Sequence, residues 1–208
     1  MAEWIPKTTL GKKVLAGEIT SLDQVFEQNL KVLEPEIMGI LVPDLSDEVL
    51  KISSTQRMTA YGRKQQMRAI VIMGNKRGFI GVGVGKGAET RDAITKAIRD
   101  AKMNLIKIPL GCGSWECGCG LEHSLPLTVK GFSGSTELTI KPAPRGVGIV
   151  AGRITRKVLE MAGIKDCWTF SKGRTRNILN TVLAAVKALN SLNKLKKGRN
   201  VEGKAEVA

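Results

Sequence analysis

Aromatic side chains make up 4% of this 208-residue chain: one Tyr, four Phe and three Trp. Proteins that hold single strands by stacking bases need a row of exposed rings, so backbone and shape recognition is the better expectation for any nucleic-acid partner. Histidine occurs once, at position 123 among cysteines, and no paired carboxylates recur at a suggestive spacing. No catalytic constellation is visible, and an enzyme is not expected. No run approaches about eighteen apolar residues, and the start MAEWIPKTTLGKK carries no hydrophobic signal segment, which reads as a soluble chain without an export route. The four cysteines, three of them crowded together, do not resemble a secreted disulfide framework and read as cytosolic thiols or metal ligands. Neither a lipidation motif nor a clear basic amphipathic helix is present, so a membrane partner is not expected.

What the chain has in excess is positive charge, unevenly placed. The net charge is +14. Residues 1–55 carry five Lys/Arg against nine Asp/Glu, a net of −4, and the remaining 153 carry 28 against ten, a net of +18. A field that strong is costly unless a polyanion neutralises it, and nucleic acid is the leading partner. Apolar residues at 42% suffice for a real core.

The expected organisation has five parts. Residues 1–50 form an acidic extension that wraps onto something, with a helix over SLDQVFEQNLKVL (Ser21 and Gln24 suit a capping box) and a Pro-punctuated connection after it. Residues 51–108 read as β-β-β-α. KISSTQRMT and MRAIVIMG are strands separated by the basic hairpin loop AYGRKQQ, GNKRG is a tight turn, and FIGVGVGKG is a third strand. The helix AETRDAITKAIRDAKMNLI presents Ile94, Ala97, Ile98, Ala101 and Leu105 within a sector of about 100°, with Arg91, Arg99 and Lys102 adjoining and Lys96 further round. Residues 109–124 are a Cys/His-rich hinge. Residues 125–193 read as β-β-α-β-α, with a helix RITRKVLEMAG that Gly163 ends and a last helix over TRNILNTVLAAVKALNSL. Residues 194–208 lose periodicity and read as a mobile basic tail. The fold class is α+β, two small α/β units.

Gly83-Val-Gly85-Lys-Gly87-Ala88 invites a nucleotide reading, but a phosphate loop needs Ser or Thr where Gly87 stands, and the dinucleotide fingerprint lacks its acidic second strand. Gly81, Gly83 and Gly85 share one strand face, which admits the close approach of a helix or of an RNA strand. Lys76 and Arg77 at a turn, Lys86 ahead of a helix, and Arg91, Lys96, Arg99 and Lys102 on one side make a candidate phosphate-binding surface. Arg145, Arg153, Lys172 and Arg174 extend the candidate RNA-binding set into the second unit.

The run GRKQQMRAIVIMGNKRGFIGVGVGKGAETRDAITKAIRDAKMNLI, residues 62–106, resembles the N-terminal domain of the universal small-subunit ribosomal protein five family, a relative of double-stranded-RNA-binding domains. LTIKPAPRGVGIVAGRITRKVLEMAGIKDCWT, residues 138–169, resembles that family's C-terminal domain. The acidic extension and the GCGSWECGCG insert look like the archaeal branch; the eukaryotic counterpart, small-subunit protein two, shares the extension. The resemblance implies a cytoplasmic, ribosome-bound structural protein on small-subunit ribosomal RNA near the decoding region, beside the place where messenger RNA enters. It implies small-subunit proteins three, four and eight as neighbours, a bearing on translational accuracy, and no organic cofactor. The family's hairpin loop falls on Tyr61, Gly62, Arg63 and Lys64, with Tyr61 replacing the first of two glycines. A free-standing regulator of double-stranded RNA built from the same modules is the competing reading.

The segment GCGSWECGCGLEHS spaces Cys112, Cys117, Cys119 and His123 as C-x4-C-x-C-x3-H. Three thiolates and an imidazole are a common tetrahedral set for structural zinc, and interleaved glycines permit the tight turns. The spacing is not that of a standard zinc ribbon, and a Gly-rich loop ordered by RNA is the alternative. Cys167 lies on an expected strand and reads as a small buried apolar residue.

Overall fold

A computed structural model describes residues 4–28 and 30–194. The acidic extension folds as three short helices, α1 (Thr9–Leu15), α2 (Leu22–Glu27) and α3 (Pro35–Leu41). The capping box is shifted: Ser21 makes no side-chain cap, and Gln24 instead accepts from the Thr20 amide at 3.2 Å. The segment read as a connection is α3, started by Pro35 at a position where a missing N–H costs nothing. Leu10, Val14, Ile19, Val25 and Ile37 close into a small core of their own. Leu22 and Met38 pack with Leu105, the Phe26 and Phe79 rings stack at 6.3 Å, and Lys107 pairs with Asp23 at 2.7 Å. What the extension wraps onto is thus the edge of the domain that follows it.

That domain is a four-stranded antiparallel sheet in the order β1 (Ser46–Thr59), β2 (Gly62–Gly74), β3 (Phe79–Gly87), β4 (Leu105–Lys107), with helix α4 (Thr90–Met103) before β4. Leu105, expected in the helix, begins the fourth strand. The glycine stripe meets a helix. A Cβ at Gly81, Gly83 or Gly85 would run into the backbone carbonyl of Ala101, Ala97 or Ala93 in turn. The buried face of α4 is therefore Ala93, Ala97 and Ala101, while Ile94 and Ile98, expected in the core, are half-buried at its flanks.

The second unit is the sheet β5 (Val129–Ser133), β6 (Thr136–Pro142), β8 (Cys167–Lys172), β7 (Ile149–Val150), with β7 parallel to β8. Helices α5 (Arg153–Ala162) and α6 (Ile178–Ser191) lie between the two sheets. Gly163 ends α5 in a left-handed conformation, φ 89°, as its sequence position predicts. The turn of residues 75–78 docks there: the Lys76 and Gly78 amides donate to the Met161 and Ala162 carbonyls at 3.1 and 3.0 Å. Lys157 and Glu48 add an ion pair between α5 and β1. One apolar cluster joins Ile72, Ile80 and Val82 of the first sheet to Leu159 and Leu189 of the helices and Leu138 and Ile140 of the second sheet. Among the described residues no helix is long and apolar enough to cross a membrane. The basic-tail expectation for residues 194–208 lies outside the described residues, save Lys194.

Candidate nucleic-acid interface and metal centre

The stretch AYGRKQQ is not a seven-residue loop. Thr59 pairs with Gly62, so the hairpin closes on Ala60 and Tyr61 alone, and Arg63 and Lys64 are strand residues opposite Met58 and Arg57. Gly62 takes φ 118°, a conformation side-chain-bearing residues avoid, and Tyr61 at the tip is fully exposed. The last β2–β3 pair is Met67 with Gly87, so residues 62–66 and their partners continue as a two-stranded arm. At ~3.4 Å per residue the arm projects about 17 Å beyond the third strand.

Strand period then sorts its charges. Ala69 pairs with Gly85 on the α4 side, so Arg63 also faces that side. Lys64 and Arg68 face the other way. Register places Arg57 opposite Lys64 and Lys86 opposite Arg68 on this second face, with Lys51 in the neighbouring row opposite Ile70. Directly opposed residues have their Cβ atoms about 5 Å apart, and like charges placed so repel. Among the described residues none of these five lies within ion-pairing distance of a carboxylate. At the centre of the ribbon Arg68 Nε and Ser53 Oγ, on cross-strand partners, are buried without a hydrogen-bond partner. A row of like charges without carboxylate partners makes this face strongly electropositive.

The sequence-derived cations do not form one surface. Arg91, Lys96 and Arg99 are exposed on α4 and Lys102 is half-buried there, on the far side of the sheet from Lys64 and Lys86. Lys76 and Arg77 are exposed at the opposite end of β2 from the arm, and Arg77 pairs with Asp44 at 3.8 Å. Arg145 is exposed in the loop after β6, Arg153 opens α5, and Lys172 and Arg174 are exposed at the end of β8. Lys51, Arg57 and Arg68 were missed by sequence reasoning. Their signal is the strand period itself, which only a correct hairpin register reveals.

The Cys/His segment does assemble. One ligand atom each from Cys112, Cys117, Cys119 and His123 lies within 4.8 Å of all the others. Cys117 Sγ is 3.2 Å from Cys119 Sγ and 3.8 Å from His123 Nε2. A tetrahedral zinc with bonds of about 2.0–2.3 Å sets neighbouring ligands roughly 3.5–3.8 Å apart, a spacing that the 3.2 Å contact and the 4.8 Å limit bracket, and three thiols with an imidazole are a donor set suited to that ion. Folding places the four ligands by pinning both ends of the segment. Gly111 and Ser124 form an antiparallel bridge, and the Lys165 and Asp166 amides donate to the His123 carbonyl.

His123 is buried, and its Nδ1 lies 2.8 Å from Asp166 Oδ2, also buried. That contact fixes the tautomer: Nδ1–H donates to the carboxylate, leaving the Nε2 lone pair turned to the thiols. The backbone amides of Arg145 and Cys119 stabilise the Cys117 thiolate and hold its pKa down to about 6. Desolvation followed by the neighbouring thiols raises that of Cys112. Cys167 is fully buried, and desolvation with the Asp166 charge pushes it up to about 12, so it is no ligand. Asp166 was not legible as a participant, since 43 residues separate it from His123.

Comparison with known proteins gives two family matches. Residues 45–109 match the family model described as ribosomal protein S5, N-terminal domain, and residues 131–201 match ribosomal protein S5, C-terminal domain. A protein of Methanoregula boonei named small ribosomal subunit protein uS5 is 54% identical over 199 residues, 96% of this chain and 97% of that one. The similarly named proteins of Methanocaldococcus jannaschii and Ignicoccus hospitalis are 51% identical (92% of this chain, 88% of that one) and 50% identical (92% and 91%).

Proposed function

The chain belongs to the ribosomal protein S5 family, and we propose that its arm is a principal ribosomal-RNA contact, close to the decoding region of the small subunit. As a family member it is a structural, RNA-binding constituent of the cytoplasmic small ribosomal subunit rather than an enzyme. The observation that carries the arm's role is the unpaired row Lys51, Arg57, Lys64, Arg68 and Lys86 around an orphaned arginine nitrogen. Phosphates that thread this row relieve the cross-strand repulsion. Tyr61, Gly62 and Arg63 at the tip reach furthest. Their closeness to decoding is the basis for a bearing on accuracy, and for contact with messenger RNA where it enters the subunit.

The other exposed cations form separate contact zones: Arg91, Lys96, Arg99 and Lys102 on α4; Lys76 and Arg77 on the turn; Arg145, Arg153, Lys172 and Arg174 on the second unit. We read residues 51–108 and 125–193 as the two RNA-facing units joined by 109–124, with small-subunit proteins three, four and eight against the remaining surface. We also infer one structural zinc on Cys112, Cys117, Cys119 and His123, whose four protein ligands leave no open position for catalysis.

The test is the salt dependence of binding to transcribed small-subunit ribosomal RNA. The Arg57→Ala/Lys64→Ala double variant should lower the slope of log K against log salt by about two, one for each phosphate no longer neutralised. Lys12→Ala/Lys13→Ala, on the acidic extension, should leave it unchanged. Equal slopes for all three proteins would refute the arm assignment.

A further inference from the structure

The cysteine cluster is fastened to a loop that supplies none of its four candidate ligands. Asp166 divides its two oxygens between them. Oδ2 receives His123 Nδ1 at 2.8 Å, while Oδ1 accepts the backbone amides of Gly146 and Gly148 at 3.1 and 2.8 Å. Gly146 and Gly148 stand at φ 94° and 74°, so two left-handed residues two apart point their amides at one carboxylate oxygen. Between Pro144 and Gly148 lies Arg145, exposed. The loop is therefore tied to the cluster through Asp166, behind the histidine. Asp166 is itself held from below, its carbonyl accepting from Ser124 Oγ and its amide donating to the His123 carbonyl.

We propose that zinc at this cluster sets the conformation of the 144–148 loop through Asp166, and so controls how Arg145 is presented to RNA phosphate; this rests on the zinc reading above. The physical chain is short. Without a metal nothing holds the three sulfurs at one spacing. With a divalent cation they contract to tetrahedral spacing, and His123 is drawn in with them. An imidazole bound to metal at Nε2 is a stronger Nδ1–H donor, which fixes the Asp166 carboxylate in rotation and keeps Oδ1 under the two glycine amides. Without that anchor the loop's last three residues, two of them glycines, keep little to hold them. Arg145 then loses the preorganisation that makes a phosphate contact favourable. By reciprocity, RNA bound at Arg145 must tighten zinc by the same factor.

The full-length protein, refolded with and without one equivalent of zinc, serves as the test. Wild-type protein should take up zinc, slow amide exchange at Gly146 and Gly148, and bind transcribed small-subunit ribosomal RNA about five-fold or more tightly when loaded. Arg145→Ala should bind zinc normally, yet its RNA affinity should no longer respond to it. In Asp166→Asn the new amide favours the His123 tautomer protonated at Nε2, so zinc affinity should fall about 10–100-fold. Should that variant fail to fold, Cys119→Ser removes a ligand without touching Asp166 and should show the fast exchange of the metal-free protein. No zinc uptake by wild type would overturn the metal reading, and this proposal with it. Zinc uptake with unchanged exchange at Gly146 and Gly148 and unchanged RNA affinity would overturn this proposal alone.

Discussion

Gly85→Ala puts one methyl group into the seam between β3 and α4. Built on the present backbone, its Cβ lies 2.5 Å from the Ala97 amide nitrogen and 3.1 Å from the Ala97 Cα, and is driven into the Ala93 carbonyl. All three neighbours are backbone, so no side-chain rotation relieves them. Ordinary contacts of carbon with other heavy atoms are about 3.5 Å, so strand and helix must part by roughly 1 Å. That movement loosens Ala93 and Ala97 together, because both lean on the same stripe. Overpacking of this kind costs about 1–3 kcal/mol, offset by up to 1 kcal/mol because alanine loses less chain entropy than glycine on folding. The net loss is about 1–2 kcal/mol, or a melting temperature lower by about 2–8 °C for a chain of this size. Thermal unfolding followed by circular dichroism measures it, with Gly39→Ala as the control. Gly39 lies inside α3 with nothing within 4 Å of its Cβ position, and alanine there should stabilise by up to about 1 kcal/mol. If both variants melt at the wild-type temperature, α4 does not rest on the glycine stripe.

The division of α4 into a small-residue seam and half-buried flanks predicts unequal isoleucines. Ile70→Ala, at a site 1% exposed, should cost about 2–5 kcal/mol, whereas Ile98→Ala should cost clearly less in the same urea titration; equal losses would contradict that division. In zinc-free protein, iodoacetamide should label Cys117 ahead of Cys112 and leave Cys167 untouched. The Cys117 rate should fall as pH drops through about 6, where its thiolate is protonated, and zinc should protect the whole cluster. Mass spectrometry of the labelled peptides gives the order, and preferential labelling of Cys167 would contradict the burial described for it.

Legibility in the sequence followed the strength of periodic signals. The helices α4, α5 and α6 and the antiparallel strands show in the apolar spacing, and Gly163 marks a helix end as its type predicts. The burial of α4 was misread for a physical reason. A hydrophobicity wheel favours Ile94 and Ile98, while a helix lying on bare glycine backbone comes too close for anything larger than alanine. The arm was misread because AYGRKQQ is polar throughout and a solvated strand has no apolar alternation to announce it. Helices α1 and α3 are seven residues each, one with an internal glycine and the other bracketed by prolines, too short for a periodic signal. The Cys/His cluster was visible because its members are close in sequence. Asp166, which orients one of them, was not, because its role depends on a contact made by folding.

The extension's partners lie downstream of it, and this orders events during synthesis. Leu22, Phe26 and Met38 complete their packing only against Phe79 and Leu105, and Asp23 waits for Lys107. At roughly 5–20 residues per second, the segment between Met38 and Lys107 takes several seconds to be made. During that interval α2 and α3 leave the exit tunnel with an apolar face and no surface to cover it. The nascent chain therefore carries that face uncovered until β4 adds the last strand to the first sheet.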